Sequence, residues 1–349
     1  MRVCYFGAYD PAYPRSLILL RGLRQAGAEV VECRAARSLS TRGRARELIA
    51  RFAPTACDVI LLAAFNQALA PAAARLARRH DKHLVVDAFT PLFDSAVNDR
   101  GTGPPLSLKA WRYRQIDRRA LRLPDRVLVD TAQHRDYFVR TFGADAARIT
   151  VIPVGASQEW FAQPDCSQGE LVLFYGTYIP LHGIETILRA AALLPDVRFE
   201  LIGRGQTYTA MQSLAAGLNL RSVTFREPVP AADLPAVASR AAVALGIFGT
   251  TDKAVRVVPN KVYQCLALGK AVITADTPAL RAAFTPGELL LAVPPGDPGA
   301  LAAAVRALLA DPDRRAELGR AAQQRMREAF TQEVLGQRLL AALQEVQAV

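Results

Sequence analysis

The sequence predicts an α/β protein made of two doubly wound domains, each built on a parallel sheet. Three observations carry this. Twelve short, nearly continuous apolar segments alternate with amphipathic stretches, as strands buried on both faces of a parallel sheet do. They fall into two series of six, separated by a stretch rich in turn residues. The chain has 349 residues, 51% of them hydrophobic, enough for two cores of about 150 to 170 residues each.

The first series of strands is Val3–Gly7, Val30–Cys33, Val59–Leu62, Leu84–Asp87, Arg126–Val129 and Ile149–Ile152, with helical patterns such as Ser16–Ala26 and Ala68–Arg79 between them. Pro164, Asp165, Ser167 and Gly169 mark the segment Gln158–Gly169 as a linker. The second series is Leu171–Tyr175, Phe199–Ile202, Val223–Phe225, Ala242–Leu245, Ala271–Thr274 and Leu289–Val293. Two such series make two Rossmann-like domains, expected at 1–165 and 166–330. The pattern Glu328–Val346 reads as a helix, so 331–349 is expected to cross back and brace the first domain.

Composition narrows the function classes. No apolar run approaches the roughly 20 residues that span a bilayer. The opening Met1–Gly7 reads as a buried first strand rather than a secretory signal, since Asp10 follows too soon. The five cysteines are scattered, which argues against a metal or disulfide framework and for a reducing cytoplasm. The net charge of +11 is uneven: residues 1–165 hold 25 Lys+Arg against 16 Asp+Glu, a net of +9. Basic residues cluster at Arg34, Arg37, Arg42, Arg44, Arg46 and Arg51, and again at Lys109, Arg112, Arg114, Arg118, Arg119 and Arg122. Two readings stand for them, solvated helix faces or attraction to an anionic acceptor or anionic lipid at the inner face of the membrane. Nucleic acid is not expected, because no nucleic-acid-binding pattern accompanies the charge.

The most informative stretch is Pro259-Asn-Lys-Val-Tyr-Gln-Cys-Leu-Ala-Leu-Gly-Lys-Ala-Val-Ile273. A turn at Pro259 and Asn260 opens a helix over Lys261–Leu268, Gly269 stops it, and an apolar strand follows. A helix N-terminus at the rim of a parallel sheet offers unbonded N–H groups and the positive end of a dipole, which suits a diphosphate. The stretch resembles the nucleotide-sugar signature of the family 4 retaining glycosyltransferases. The block Leu171–Leu188, with Gly176, Thr177, His182 and Gly183, resembles the family's strand-G-R-x(4)-K-G element; here Thr177 and His182 stand where that pattern has Arg and Lys. Phe199–Gly205 supplies the expected G-x-G at Gly203 and Gly205, a motif that is also a common tight turn. In the first domain, Asp125–His134 and Ile149–Phe161 resemble the family's D-x-V and V-I-P-N-G-V-D blocks.

This resemblance covers most of the chain, more strongly from 125 to 330. It implies a GT-B fold of two facing domains with a cleft, a nucleotide-sugar donor linked to UDP or GDP, and a hydroxyl acceptor. It implies no cofactor and no metal. The donor-binding set is Gly7, Gly176, Thr177, His182, Gly183, Gly203, Gly205, Val258, Pro259, Asn260, Lys261, Val262 and Gln264. Arg256 and Gln264 occupy the positions of two family glutamates. Gln264 can still bridge ribose hydroxyls, having both donor and acceptor atoms. Arg256 can restore the positive charge missing at Thr177, pair with a carboxylate on the donor sugar, or stand at the surface. Tyr9, Asp10 and Arg15 lie in the loop expected to face the acceptor. Asp87 and Asp94, the polar groups nearest the expected reacting centre, read equally as turn or cap residues, and with Arg256 form the catalytic candidates. Asp311-Pro-Asp313 matches a metal-binding D-x-D pattern but reads as cap chemistry between helices. The competing readings are a catalytically degenerate relative that binds nucleotide or glycan, and a nucleotide-sugar epimerase of the same architecture.

Overall fold

The computed structural model describes residues 1–167 and 169–347. Gln168, inside the segment read as a linker, and Ala348 and Val349, in the span read as a C-terminal helix, lie outside the described residues. The chain divides into two compact units: Met1–Val154 with the chain from Thr331 onward, and Gly155–Phe330.

Unit 1 holds strands β1 (Arg2–Gly7), β2 (Glu29–Arg34), β3 (Val59–Leu62), β4 (His83–Phe89), β5 (Arg126–Val129) and β6 (Ile149–Val151). They form one parallel sheet in the order β2-β1-β3-β4-β5-β6. The two-residue repeat of a strand sends alternate side chains into two separate cores. Cys4, Phe6, Ile60 and Leu62 face helices α2 (Thr41–Arg51), α3 (Ala70–Arg79), α4 (Leu108–Arg122) and α5 (Ala132–Phe142). Val3, Tyr5, Val59 and Leu61 face α1 (Pro14–Gln25) and α14 (Gln332–Gln347). Apolar character on both strand faces is what makes these segments read as continuous runs.

Unit 2 holds β7 (Val172–Tyr175), β8 (Phe199–Ile202), β9 (Val223–Arg226), β10 (Val243–Leu245), β11 (Ala271–Ala275) and β12 (Leu291–Val293). Their order is β12-β11-β10-β7-β8-β9, again parallel. The chain runs outward from β7 through β9, then returns to the other side of β7 with β10. The junction of β7 and β10 is therefore the topological switch point, where open α/β sheets bind their ligands. Helices α6 (Gln158–Ala162), α7 (Ile184–Ala192), α8 (Tyr208–Gly217), α9 (Leu234–Ser239), α10 (Asn260–Ala267), α11 (Pro278–Ala283), α12 (Pro298–Ala310) and α13 (Pro312–Ala329) complete the unit.

Two details differ from the sequence reading. The chain passes between units at Val154–Gly155, ahead of the turn-rich segment, because α6 belongs to unit 2. Its Trp160 is buried and stacks on Tyr175, with centroids 6.1 Å apart and planes at 13°. The sequence reading also leaves α4 as a cluster of charges, whereas it is a 15-residue helix capped by the Ser107 side chain. Asp311 caps α13 by accepting from the Arg314 N–H at 2.8 Å. Among the described residues no helix is long and apolar enough to cross a membrane.

Helix α14 lies on α1 with backbone touching backbone. A Cβ placed on Gly22 would stand 2.3 Å from the Gln332 carbonyl oxygen, and one on Gly336 would stand 2.1 Å from that of Gly22. Neither helix can withdraw without exposing Leu19, Leu23, Leu339 and Leu343, all buried in the same core. Gly336→Val should lower the unfolding free energy by about 1–3 kcal/mol, the usual cost of overpacking. Gly217→Ala, at a helical glycine with open space around it, should leave stability unchanged or raised. Chemical denaturation of the two variants checks the contrast.

Candidate functional site

In unit 2 the loop after β7 and the start of α10 converge at the switch point. Gly176 ends β7 with φ at +151°, and a Cβ there would come within 2.8 Å of Lys261 Nζ and 3.2 Å of His182 Cε1. Only glycine leaves room for the ammonium in that corner. Lys261 stands in the first turn of α10. It is 5% exposed, its Nζ has no hydrogen-bond partner among the described residues, and it rests 3.8 Å from the centroid of the Phe174 ring. Burial pushes its pKa well below the ordinary lysine value.

His182 closes the turn Pro180–His182 and packs edge-on against Phe174, at 5.7 Å and 71°. Its Nδ1 meets the Thr177 carbonyl oxygen, while the Thr177 side chain is exposed. Burial, and next the charge of Lys261, hold the imidazole well below its usual pKa; Lys253 acts in the same direction. The ring is therefore neutral, with Nδ1–H donated to Thr177. Nε2 can donate to a ligand only after gaining a second proton, a condition invisible in the sequence. Lys253, buried ahead of the turn Ala254–Arg256, is a nearby cation that sequence reasoning missed. Its signal was only a lysine in a polar loop.

Around this corner the loops lie backbone on backbone. A Cβ on Gly203 would stand 2.0 Å from the Gly176 carbonyl oxygen, and one on Gly205 would stand 2.6 Å from the Tyr178 nitrogen. Gly183 caps α7 and lies against Phe248 and Gly249 after β10. Pro259 caps α10, Asn260 opens it, and Val258 and Val262 are buried beneath. Gln264 accepts the Tyr175 hydroxyl at Oε1, 2.9 Å away. Arg256 is half-buried at the end of its turn.

Unit 1 treats its charges differently. Arg15 and Asp87 are both fully buried and joined by two bonds, Nε to Oδ2 at 2.9 Å and Nη2 to Oδ1 at 3.0 Å. Arg15 Nη1 also bonds the Ile152 carbonyl. Asp94, fully buried at the start of the π-turn Asp94–Asp99, accepts from Asn98 at 2.8 Å. Arg15, Asp87 and Asp94, three of the residues expected on the acceptor side or at the reacting centre, are thus buried, and the ion pair ties β4 to α1. At the switch point of this sheet Asn66 accepts the Ala8 N–H at 2.9 Å and lies against Gly7. That side chain fills the crevice beside Gly7. Tyr9 and Asp10 line a cavity of about 430 Å³ together with Arg34, Arg37, Glu47 and Arg51. After β3 and at the end of β4, Phe65 and Phe89 hold left-handed backbone, φ +64° and +52°, and pack edge to face at 5.3 Å. Strain of this kind at strand ends on bulky residues is uncommon.

Comparisons with known proteins follow the same division. The glycosyl transferase 4-like domain family matches residues 2–155, and the glycosyl transferase-like family matches residues 182–341. D-inositol 3-phosphate glycosyltransferase from Streptomyces avermitilis is 29% identical over 223 residues, 57% of this chain and 47% of that protein. The same-named protein from Geodermatophilus obscurus is 29% identical over 241 residues, 62% and 52% of the two chains. The chain spans about half the length of these curated relatives. Among solved structures, sucrose-phosphate synthase from Thermosynechococcus elongatus superposes with a TM-score of 0.76 at 17% identity, over 100% of both chains. HepE from Anabaena, solved in complex with UDP, gives 0.77 at 17% identity over 99% and 100%. At these identities the likeness establishes the fold.

Breaking the Arg15–Asp87 pair from one side leaves a buried charge alone. Asp87→Ala or Arg15→Ala should each cost about 3–5 kcal/mol of stability, and the double variant Arg15→Met/Asp87→Leu considerably less than their sum. Urea denaturation followed by circular dichroism measures both.

Proposed function

As the chain belongs to family 4 of the GT-B glycosyltransferases, we propose that it moves a sugar from a UDP- or GDP-linked donor, bound by unit 2, to a hydroxyl acceptor bound by unit 1. The observation that carries this reading is Lys261. A buried ammonium without a hydrogen-bond partner, at the switch point of a parallel sheet, is a costly arrangement unless an anion completes it. A donor diphosphate has the right charge and reach. Its oxygens would be met by Lys261, by His182 after protonation, by the backbone N–H groups of Asn260 and Lys261 that open α10, and by Lys253 and Arg256 from the preceding segment. Gln264, oriented by Tyr175, would face the ribose hydroxyls. The UDP and UDP-glucose bound to HepE support the same class of donor.

These protein cations supply the charge that the leaving diphosphate needs, so transfer proceeds without a divalent metal. With Asp87 and Asp94 buried and bonded internally, neither offers a base to an incoming hydroxyl. A same-face displacement suits that arrangement. The acceptor oxygen bonds to the anomeric carbon as the bond to the diphosphate oxygen breaks. The acceptor proton passes to a donor phosphate oxygen, and configuration is retained. On the acceptor side, Arg34, Arg37 and Arg51 around the 430 Å³ cavity favour an acceptor that carries phosphate or carboxylate. The relatives named for D-inositol 3-phosphate support such a class.

Turnover of a UDP- or GDP-sugar with this chain should persist in excess EDTA, and nuclear magnetic resonance of the product should show the donor's anomeric configuration. Activity lost with EDTA and restored by Mg²⁺ or Mn²⁺, or an inverted product, would contradict the reading. Arg256→Ala should weaken nucleoside diphosphate binding by about 1.5–3 kcal/mol, the range for hydrogen bonds to charged groups.

A further inference from the structure

The two basic clusters of unit 1 are built differently. In the 34–51 cluster three of the six arginines are engaged locally. Arg51 pairs with Glu47 at 2.6 Å and bonds the Arg34 carbonyl, Arg37 lies 3.5 Å from Asp10, and Arg44 bonds the Arg37 carbonyl. On α4, by contrast, Lys109, Arg112, Arg118, Arg119 and Arg122 are exposed, and the four arginines form no ion pair among the described residues. The one acid of the helix, Asp117, is 1% exposed and points inward, where it accepts from the Leu92 and Phe93 N–H groups at 3.0 and 2.8 Å. Burial raises its pKa to about 7. The outer face of α4 is therefore cationic without an opposing carboxylate.

That face is also apolar at its leading end. The three most exposed large apolar side chains among the described residues are Leu106 (94%), Leu108 (80%) and Trp111 (57%), all within six residues. Leu108 and Trp111 are three apart on the helix and share a face. Leu106 sits in the loop just before it. A soluble partner of opposite charge would answer the arginines but not three projecting apolar side chains. A bilayer with anionic headgroups answers both, taking up leucine and tryptophan at the headgroup boundary and pairing the cations with phosphates.

We propose that the outer face of α4, with the loop carrying Leu106, docks this protein on an anionic lipid bilayer. The apolar tip inserts, and the five cations lie along the headgroups. Docking is a property of unit 1 alone and stands apart from the donor chemistry of unit 2.

The chain has two tryptophans, and Trp160 is buried against Tyr175. A change in emission on adding vesicles therefore reports Trp111. With vesicles of phosphatidylglycerol and phosphatidylcholine at low salt, the protein should pellet and its emission should shift to the blue. Phosphatidylcholine alone, or high salt, should release it. Arg112→Glu/Arg119→Glu and Leu106→Ser/Leu108→Ser should each weaken partitioning roughly tenfold or more, with circular dichroism unchanged. Arg42→Glu/Arg46→Glu, in the other cluster, should change it far less. Protein that stays in the supernatant at low salt overturns the proposal, as does equal loss from both charge-reversed pairs. Concentration-dependent dimerisation without lipid that Leu108→Asp abolishes would also overturn it, by assigning the face to a second copy of the chain.

Discussion

A desolvated ammonium at the open end of β7 is the constraint around which unit 2 is arranged. Lys261 reaches its position because α10 begins at the rim of the sheet, and because residue 176 has no side chain to block it. The ring of Phe174 gives the ammonium a cation–π contact on one side. His182 is held neutral partly by that same charge. The glycines at 176, 203 and 205 let three loops close on the corner through backbone alone. Each feature follows from keeping a positive group poised, and nearly dry, where an anion can complete it.

Unit 1 resolves its buried charges internally. Arg15 is satisfied by Asp87 and two carbonyl groups, so the pair contributes rigidity between α1, β4 and the end of β6. His134 and Asp130 form a second buried pair at 2.5 Å. A ligand of this unit would meet the surface cations and the strained Phe65 and Phe89, since Arg15 and Asp87 are already matched to each other. Each unit is built on a six-stranded parallel sheet, yet the two differ in strand order and in whether their central charge is open or closed. Fold likeness alone could not reveal that difference.

All twelve strands were legible in the sequence, with ends differing by one or two residues, because a strand buried on both faces is an unbroken apolar run. The α10 motif was legible for a local reason, a proline-led start and a glycine stop. Pairings made by tertiary structure were not. Nothing local distinguishes Arg15 from the other arginines of the basic half, or says that Asp117 turns inward and leaves α4 wholly cationic outside. Trp160 lay in a segment whose turn residues suggested a linker, yet its ring stacks on Tyr175. The neutral state of His182 depends on burial and on Lys261, which is 79 residues away in sequence.

Lys261 is the group whose buried charge a bound anion would complete. Its pKa lies well below the ordinary lysine value, and a diphosphate would raise it, so binding should take up protons and tighten as pH falls. Calorimetry of UDP and GDP binding in buffers of different ionisation enthalpy measures this directly. For whichever nucleotide binds, the wild-type protein should show net proton uptake that Lys261→Met reduces, with weakened affinity. Binding that is proton-neutral, or equally tight in the variant, would contradict the account.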